Sequence, residues 1–177
     1  MAARDATLLL VGYAGAFRRS ELASLRVEDV EFTGDGAVIL LRRSKTDQEG
    51  RGVRKALPYG SKKETCPVRS LKGWLETLDR EEGALFCRID RHGNVGDGIS
   101  DRAICDVVKK RARAAGLDPA RYSGHSLRAG LATAAAAAGV PEKSIMVQGD
   151  WKSVATVMRY VREGKLFENN AAANIGL

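Results

Sequence analysis

Three side chains near the carboxyl end of the sequence could together cut a phosphodiester bond: His125, Arg128 and Tyr160. The first two stand three residues apart in the motif GHSLR, so a helix that starts at Ser126 would direct both toward the same end. The histidine can then move a proton while the guanidinium neutralises a phosphate oxygen. Tyr160 lies in VMRYVR between two arginines, which favour loss of its proton, and a phenolate is a competent nucleophile.

Each of these features also has an ordinary structural explanation. A His-x-x-Arg pair arises often by chance, and a tyrosine near a helix end is usually an amphipathic packing residue. The chemical interpretation therefore depends on further residues elsewhere in the chain.

The overall charge favours a polyanionic partner, with nucleic acid the first candidate. Lysine and arginine number 29 against 22 aspartates and glutamates, giving a net charge of +7. A charge that serves only solubility is the alternative. The length of 177 residues predicts one compact domain, since a globule of this size buries ~70% of its unfolded surface.

Composition also argues against several other classes of protein. Cys66, Cys87 and Cys105 are widely spaced, which indicates neither a disulfide framework nor a zinc site. The longest apolar stretches are too short to span a bilayer, and no secretory signal is evident. We expect reduced cysteines in a cytoplasmic, nucleoid-associated protein of bacterial or phage origin, without a membrane partner.

The first third of the chain must position part of any such site. An apolar run predicts a buried helix over 4–17, and Ser20 is expected to cap a second helix with Glu21 in its first turn. Alternation then predicts strands at Ala37–Leu41 and Val53–Leu57, joined by a basic loop. The N-terminal third is therefore expected to be two helices followed by a small antiparallel sheet.

The remainder of the chain has a mainly helical pattern. Apolar residues at intervals of three and four follow Pro67, and a Gly-rich turn at 93–98 precedes a helix from about Ser100 to Ala115. Further helices are expected near Ser126, at Pro141 as a first-turn proline, and near Ser153. The predicted fold class is mixed but mainly α, a helical bundle with one small sheet.

A cluster of positive charge closes the helix predicted before Ala115. Its members are Lys109, Lys110, Arg111 and Arg113. They are DNA-binding candidates that would contact phosphates, and a solvated helix face is an equally good interpretation.

Four motifs in order along the chain resemble the catalytic domain of the tyrosine recombinases, the phage integrase family, and within it the Cre-like members. The box GAFRRSEL at 15–22 is similar to the family's Arg-x-x-Glu-Leu motif, and RSKTD at 43–47 looks like its β-hairpin lysine motif. GHSLR matches its His-x-x-Arg box. Trp151 precedes Tyr160 by nine residues, the interval expected between the family's late His or Trp and its nucleophile.

The resemblance assigns a role to each matched residue. It implies that Tyr160 is the nucleophile, that Arg18 and Arg128 clamp the phosphate, and that Glu21 is the buried carboxylate supporting Arg18. Lys45 would be the general acid, His125 would assist proton transfer, and Trp151 would donate its indole N–H to a phosphate oxygen. Two guanidiniums can neutralise the phosphate by bidentate hydrogen bonds, so we expect no metal and no other cofactor.

The activity implied is site-specific DNA strand exchange through a 3′-phosphotyrosyl intermediate, on double-stranded DNA with a specific target site and in a tetramer. A type IB topoisomerase and a non-catalytic DNA-binding relative are the alternatives. Residues 1–177 would form the catalytic domain, and the family's N-terminal DNA-clamping domain would be absent. The tail at 165–177 would dock on a neighbouring subunit or fold back on its own domain.

Three of these assignments leave alternatives. Lys45 shares its hairpin with other cations, any of which could contact DNA nonspecifically: Arg42, Arg43, Arg51, Arg54 and Lys55. Arg18 and Glu21 could be a surface i,i+3 pair. Trp151 stands where most of the family carries histidine, and packing under the nucleophile helix is its other possible role.

Overall fold

The computed structural model describes residues 1–42 and 52–165, and within them it is mainly α with small antiparallel sheets. This confirms the predicted fold class. The helices are α1 (Ala2–Ala14), α2 (Arg19–Ser24), α3 (Pro67–Leu78), α4 (Asp101–Ala114), α5 (Ser126–Ala137), α6 (Glu142–Gly149) and α7 (Val154–Gly164). The strands are β1 (Val30–Phe32), β2 (Gly36–Leu41), β3 (Val53–Pro58), β4 (Cys87–Ile89) and β5 (Val95–Gly98).

Strands β1, β2 and β3 form an antiparallel sheet in that order. In β2, Ala37, Ile39 and Leu41 are buried, and in β3 the inward positions are Lys55 and Leu57. Both predicted strands are confirmed. Strand β1 was not predicted because three residues are too few for a period-2 pattern to show.

The Gly-rich segment at 93–98 differs from its prediction as a turn alone. Its last four residues are strand β5, which pairs with β4 in an antiparallel hairpin whose turn is at Asp90–Asn94. Three glycines lower the β-propensity of this segment, so the pairing follows from the partner strand rather than from local preference.

The bounds of three helices also differ from the predictions. The helix expected over 4–17 runs from Ala2 to Ala14, because the positive φ of Ala16 turns the chain before Phe17. Helix α2 begins at Arg19, with Arg18 as its N-cap, rather than at a cap formed by Ser20. The carboxylate of Glu21 accepts the backbone N–H of Arg18 at 2.8 Å, so the helix is capped two residues earlier than expected. Pro141 is the N-cap of α6 and not its first helical residue.

The buried apolar residues fall into two clusters. The larger one joins α1, α2, the β1–β3 sheet, α3 and α4, and Phe17, Leu22 and Phe86 are fully buried in it. The smaller one joins α5, α6 and α7 around Ala132, Trp151 and other residues. The predicted chemistry-bearing residues come from both clusters, so the candidate site lies where the two meet.

Candidate active site

Arg18 is held by Glu21 through both its backbone and its side chain. The backbone N–H donates to Oε2 at 2.8 Å, and Nη1 donates to Oε1 in a short contact. Glu21 is only 3% exposed, whereas Arg18 is partly accessible. The pair is therefore not the surface ion pair considered as an alternative. Because a single buried carboxylate fixes two parts of the arginine, the guanidinium has little freedom to turn away.

Arg128 lies in the first turn of α5 and is 5% exposed. Its Nη1 donates to the carbonyl oxygen of Ala16 at 2.7 Å, which places it against the turn that leads to Arg18. Ala16 has a positive φ of 48°, a backbone conformation that directs this turn after α1 ends. Among the residues that the structure describes, Nη2 of Arg128 is the buried side-chain donor left without a hydrogen-bond partner. A buried cationic donor without a partner can donate a hydrogen bond to an anion that enters the site.

Trp151 connects Arg128 to Tyr160. The Arg128 guanidinium carbon lies 3.9 Å from the centroid of the indole ring, and the ring centroids of Trp151 and Tyr160 are 5.9 Å apart at an angle of 49°. A Cβ at Gly149 would come within 1.8 Å of the indole ring, so the ring packs directly on glycine backbone. The indole thus orders both the guanidinium and the phenol.

His125 precedes α5 as its N-cap, and its side chain is exposed. Gly124, the residue before it, is buried, and a Cβ there would meet the Arg19 side chain at 2.8 Å. The start of α5 therefore lies against the start of α2, and the His125 side chain faces solvent there. The expected helix start at Ser126 is confirmed, which places His125 and Arg128 one turn apart.

Lys55 is the residue that sequence reasoning misjudged. It was one of several hairpin cations that could contact DNA, but it is 4% exposed and cannot serve that role. Its Nζ donates to the carbonyl oxygens of Gly15 at 2.8 Å and Gln148 at 2.7 Å, and lies 5.2 Å from the Phe17 ring centroid. The alternation of side chains along β3 could have indicated that Lys55 is buried, because Lys55 lies on the same face of the strand as Leu57.

The electrostatics follow from the concentration of buried cations. Burial lowers the pKa of Arg128 to about 10, and repulsion from Arg18 adds to this, while Glu21, Asp150 and Tyr160 act in the opposite direction. Burial likewise lowers the pKa of Lys55 to about 8, with Glu21 opposing this effect. Arg128 therefore remains charged at neutral pH, and three cations, Arg18, Arg128 and Lys55, lie close to the two carboxylates Glu21 and Asp150.

The four predicted DNA-contacting residues on α4 differ in their surroundings: three are exposed and one is bonded to a buried carboxylate. Lys109, Lys110 and Arg113 are exposed. Arg111 instead donates through Nε and Nη2 to the buried Asp5 of α1, at 3.0 and 2.7 Å. Its guanidinium therefore also stabilises the contact between α1 and α4. As DNA-binding residues, all four stay predictions.

The other predicted positions are only partly covered by the structure. Lys45 and Arg43 lie outside the described residues. Within the described part of the chain, no His, Cys, Asp or Glu side chains are grouped so as to hold a metal ion. In the same residues, no helix is long and apolar enough to cross a membrane.

The chain belongs to the phage integrase family, whose profile matches residues 1–165. It is 43% identical over 169 residues to an integrase/recombinase XerD homolog of Selenomonas ruminantium, covering 95% of this chain and 50% of the relative. It is 32% identical over 171 residues to the recombinase Cre of Escherichia phage P1, covering 90% and 49%. The family recognised from the sequence is thereby confirmed.

The fold is also similar to that of solved recombinases. The XerH site-specific recombinase in a post-cleavage complex with palindromic difH substrate superposes with a TM-score of 0.69 at 18% identity, over 94% of this chain and 43% of that one. The chain thus spans about half the length of the curated relatives that it matches.

Proposed function

We propose that this chain is the catalytic domain of a site-specific DNA recombinase that cleaves and rejoins double-stranded DNA through a 3′-phosphotyrosyl intermediate. The observation that carries the proposal is the unpartnered, buried Nη2 of Arg128 beside Arg18, Trp151 and Tyr160. A buried cation with an unused donor, close to a potential nucleophile, suits an oxyanion that arrives with the substrate.

In the proposed reaction, Tyr160 Oη attacks the scissile phosphorus and the bond to the 5′-oxygen breaks. Arg18 and Arg128 stabilise the negative charge on the non-bridging oxygens. Lys45 gives a proton to the leaving 5′-oxygen, and His125 assists proton transfer on the tyrosine side. The 5′-hydroxyl of a partner strand then attacks the phosphotyrosyl group and releases Tyr160. One phosphodiester replaces another, so no ATP is needed, and two guanidiniums supply the charge that a metal would otherwise provide.

The proposed partners are a duplex with a specific target site and further copies of the chain. DNA is supported by the net charge of +7 and by the exposed cations Lys109, Lys110 and Arg113. A tetramer on DNA would bring two duplexes together for exchange. In that assembly the tail at 165–177 would dock on a neighbouring subunit, with return to its own domain as the alternative.

Two other functions remain as alternatives to recombination. A type IB topoisomerase would use the same phosphotyrosyl chemistry but rejoin the strand that it cut. A non-catalytic relative would bind DNA and form no covalent bond.

Covalent capture tests the proposal. The chain is incubated in EDTA with a pool of nicked duplexes that carry randomised arms, in which cleavage releases a short fragment and prevents religation. We expect a DNA adduct that resists SDS, and sequencing of the captured duplexes would reveal the target. Tyr160→Phe should abolish the adduct, since phenylalanine has no oxygen to attack phosphorus.

The matched control is Tyr13→Phe, which removes a phenol from the exposed side of α1 and should leave the adduct intact. DNA binding without any adduct would favour the non-catalytic relative. An adduct that returns only to its own strand, with relaxation of supercoiled plasmid and no transfer to a second duplex, would favour the topoisomerase.

A further inference from the structure

A second set of contacts lies directly beneath the two arginines, and none of its members has a role in the chemistry proposed above. At its centre is Lys55, an ammonium group with 4% exposure on the inward face of β3. A buried lysine is costly unless its charge is compensated. Its partners therefore indicate what it does.

The two oxygens that Lys55 contacts belong to the segments that carry the site. The Gly15 carbonyl at 2.8 Å is in the turn between α1 and Arg18, three residues before that arginine. The Gln148 carbonyl at 2.7 Å is near the end of α6, three residues before Trp151. One ammonium group thus joins the larger apolar cluster to the smaller one at the point where each supplies a site residue.

The side chain of Gln148 reinforces this junction. Its Nε2 donates to the Ala14 carbonyl at 2.7 Å and to the Ala56 carbonyl at 3.2 Å. The turn after α1, strand β3 and the end of α6 are therefore joined by four hydrogen bonds from two side chains. We call Lys55, Gln148 and the carbonyls that they contact the cluster clamp, because together they join the two apolar clusters of the domain.

We propose that Lys55 is a positioning residue, which through the cluster clamp holds Arg18 on one side and Arg128 with Trp151 on the other so that both guanidiniums meet the same phosphate. This inference rests on the proposed function. It concerns how the arginines are aligned and assigns Lys55 no contact with DNA.

The charge of Lys55 couples the clamp to the occupancy of the site. The groups that act on it are Arg18 and Arg128, which repel it, and Glu21 and Asp150, which attract it. Because burial and this repulsion lower its pKa to about 8, an anion held by the arginines should raise that pKa by offsetting the repulsion. Binding of the anion and protonation of Lys55 would then favour each other.

Lys55→Met tests the positioning role, because methionine fills a similar volume without charge or donors. We expect adduct formation at saturating duplex to slow by about 100-fold while the dissociation constant for the duplex changes by less than about 3-fold, as misplacement of about 1 Å in a reacting pair predicts. Lys55→Arg keeps the charge and the donors and should recover most of the rate. Exposed Lys63, in the turn after β3, supplies the matched control Lys63→Met, expected to behave as the wild type.

A measurement on the wild-type chain decides the case even if the methionine variant does not fold. The Lys55 ¹³Cε resonance is followed against pH by NMR, with and without inorganic tungstate as a phosphate mimic. We expect a midpoint near 8 for the free chain and a higher midpoint with tungstate. A midpoint that bound tungstate leaves unchanged would overturn the inference, because the ammonium group would then be uncoupled from the two arginines.

The same experiments separate this inference from the proposed function. If the wild-type chain forms no adduct, the proposed function fails. If the wild type forms the adduct and a folded Lys55→Met variant matches its rate, the positioning role fails while the recombinase proposal stands.

Discussion

Lys55 makes a quantitative prediction about stability that needs no DNA. In the unfolded chain its ammonium group titrates at the ordinary lysine value of 10.5, and in the folded chain at about 8. Between these two values the unfolded state binds more protons, so the free energy of unfolding must rise with pH. Below pH 8 both states are protonated and this dependence vanishes.

The magnitude follows from the displacement of the pKa. At about 1.4 kcal/mol per pKa unit, lowering it from 10.5 to about 8 corresponds to about 3 kcal/mol of stability gained across that interval. Because Lys55 is 4% exposed, solvent screening reduces this value little. The wild-type chain should therefore gain stability with pH from this residue, where most proteins lose it.

The perturbation is Lys55→Arg, because the ordinary pKa of arginine lies well above that of lysine, so an arginine in the same place keeps its charge to a higher pH. The free energy of unfolding is measured by urea titration with circular dichroism at pH 7, 8, 9 and 10. The curve of the wild type minus that of the variant should be flat to about pH 8 and then rise. Titration of the groups that do not interact with residue 55 is common to both chains and cancels in the difference. A difference that stays constant to pH 10 would refute the electrostatic account of the clamp.

Two further substitutions test the geometry around the arginines. Glu21→Gln removes the carboxylate that holds both the backbone and the side chain of Arg18, so adduct formation should fall by about 100-fold with little change in DNA affinity; a proportional loss of affinity and rate would contradict this. Gly149→Ala places a Cβ within 1.8 Å of the Trp151 ring, which should cost about 1–3 kcal/mol by overpacking, measured by thermal unfolding. Gly73→Ala, where α3 leaves open space, is its control and should not destabilise.

Helices with clear apolar periodicity could be predicted from the sequence with accurate bounds. Helix α4, for example, has Ser100 as its cap and Ile104, Val107 and Val108 on one buried face. Segments whose structure depends on distant partners could not. Strand β1 forms because β2 offers it an edge, and α2 starts early because Glu21 is buried against Arg18, which a local rule for serine caps does not contain.

The site divided in the same way. Arg128 and Tyr160 were predicted from residue type and spacing and Arg18 from a motif resemblance; in the structure Arg18 and Tyr160 both lie close enough to Arg128 to act on its charge, and their catalytic roles stay predictions. Lys55 was grouped with surface cations because arginines and lysines surround it in the sequence, although its position two residues before Leu57 put it on the inward face. The charge of Lys55 was given more weight than the inward-outward alternation along the strand, because an isolated buried lysine is rare in ordinary proteins.

The turn after α1 has a consequence for how the sequence can vary. Together with the last residue of α1, it offers three carbonyl oxygens, at Ala14, Gly15 and Ala16, which accept hydrogen bonds from Gln148, Lys55 and Arg128 respectively. Every residue type offers a backbone carbonyl, so no substitution at these three positions can delete an acceptor. Selection on the turn therefore acts through size and backbone angle, whereas selection on the contacts falls wholly on the three donors, far away in the chain.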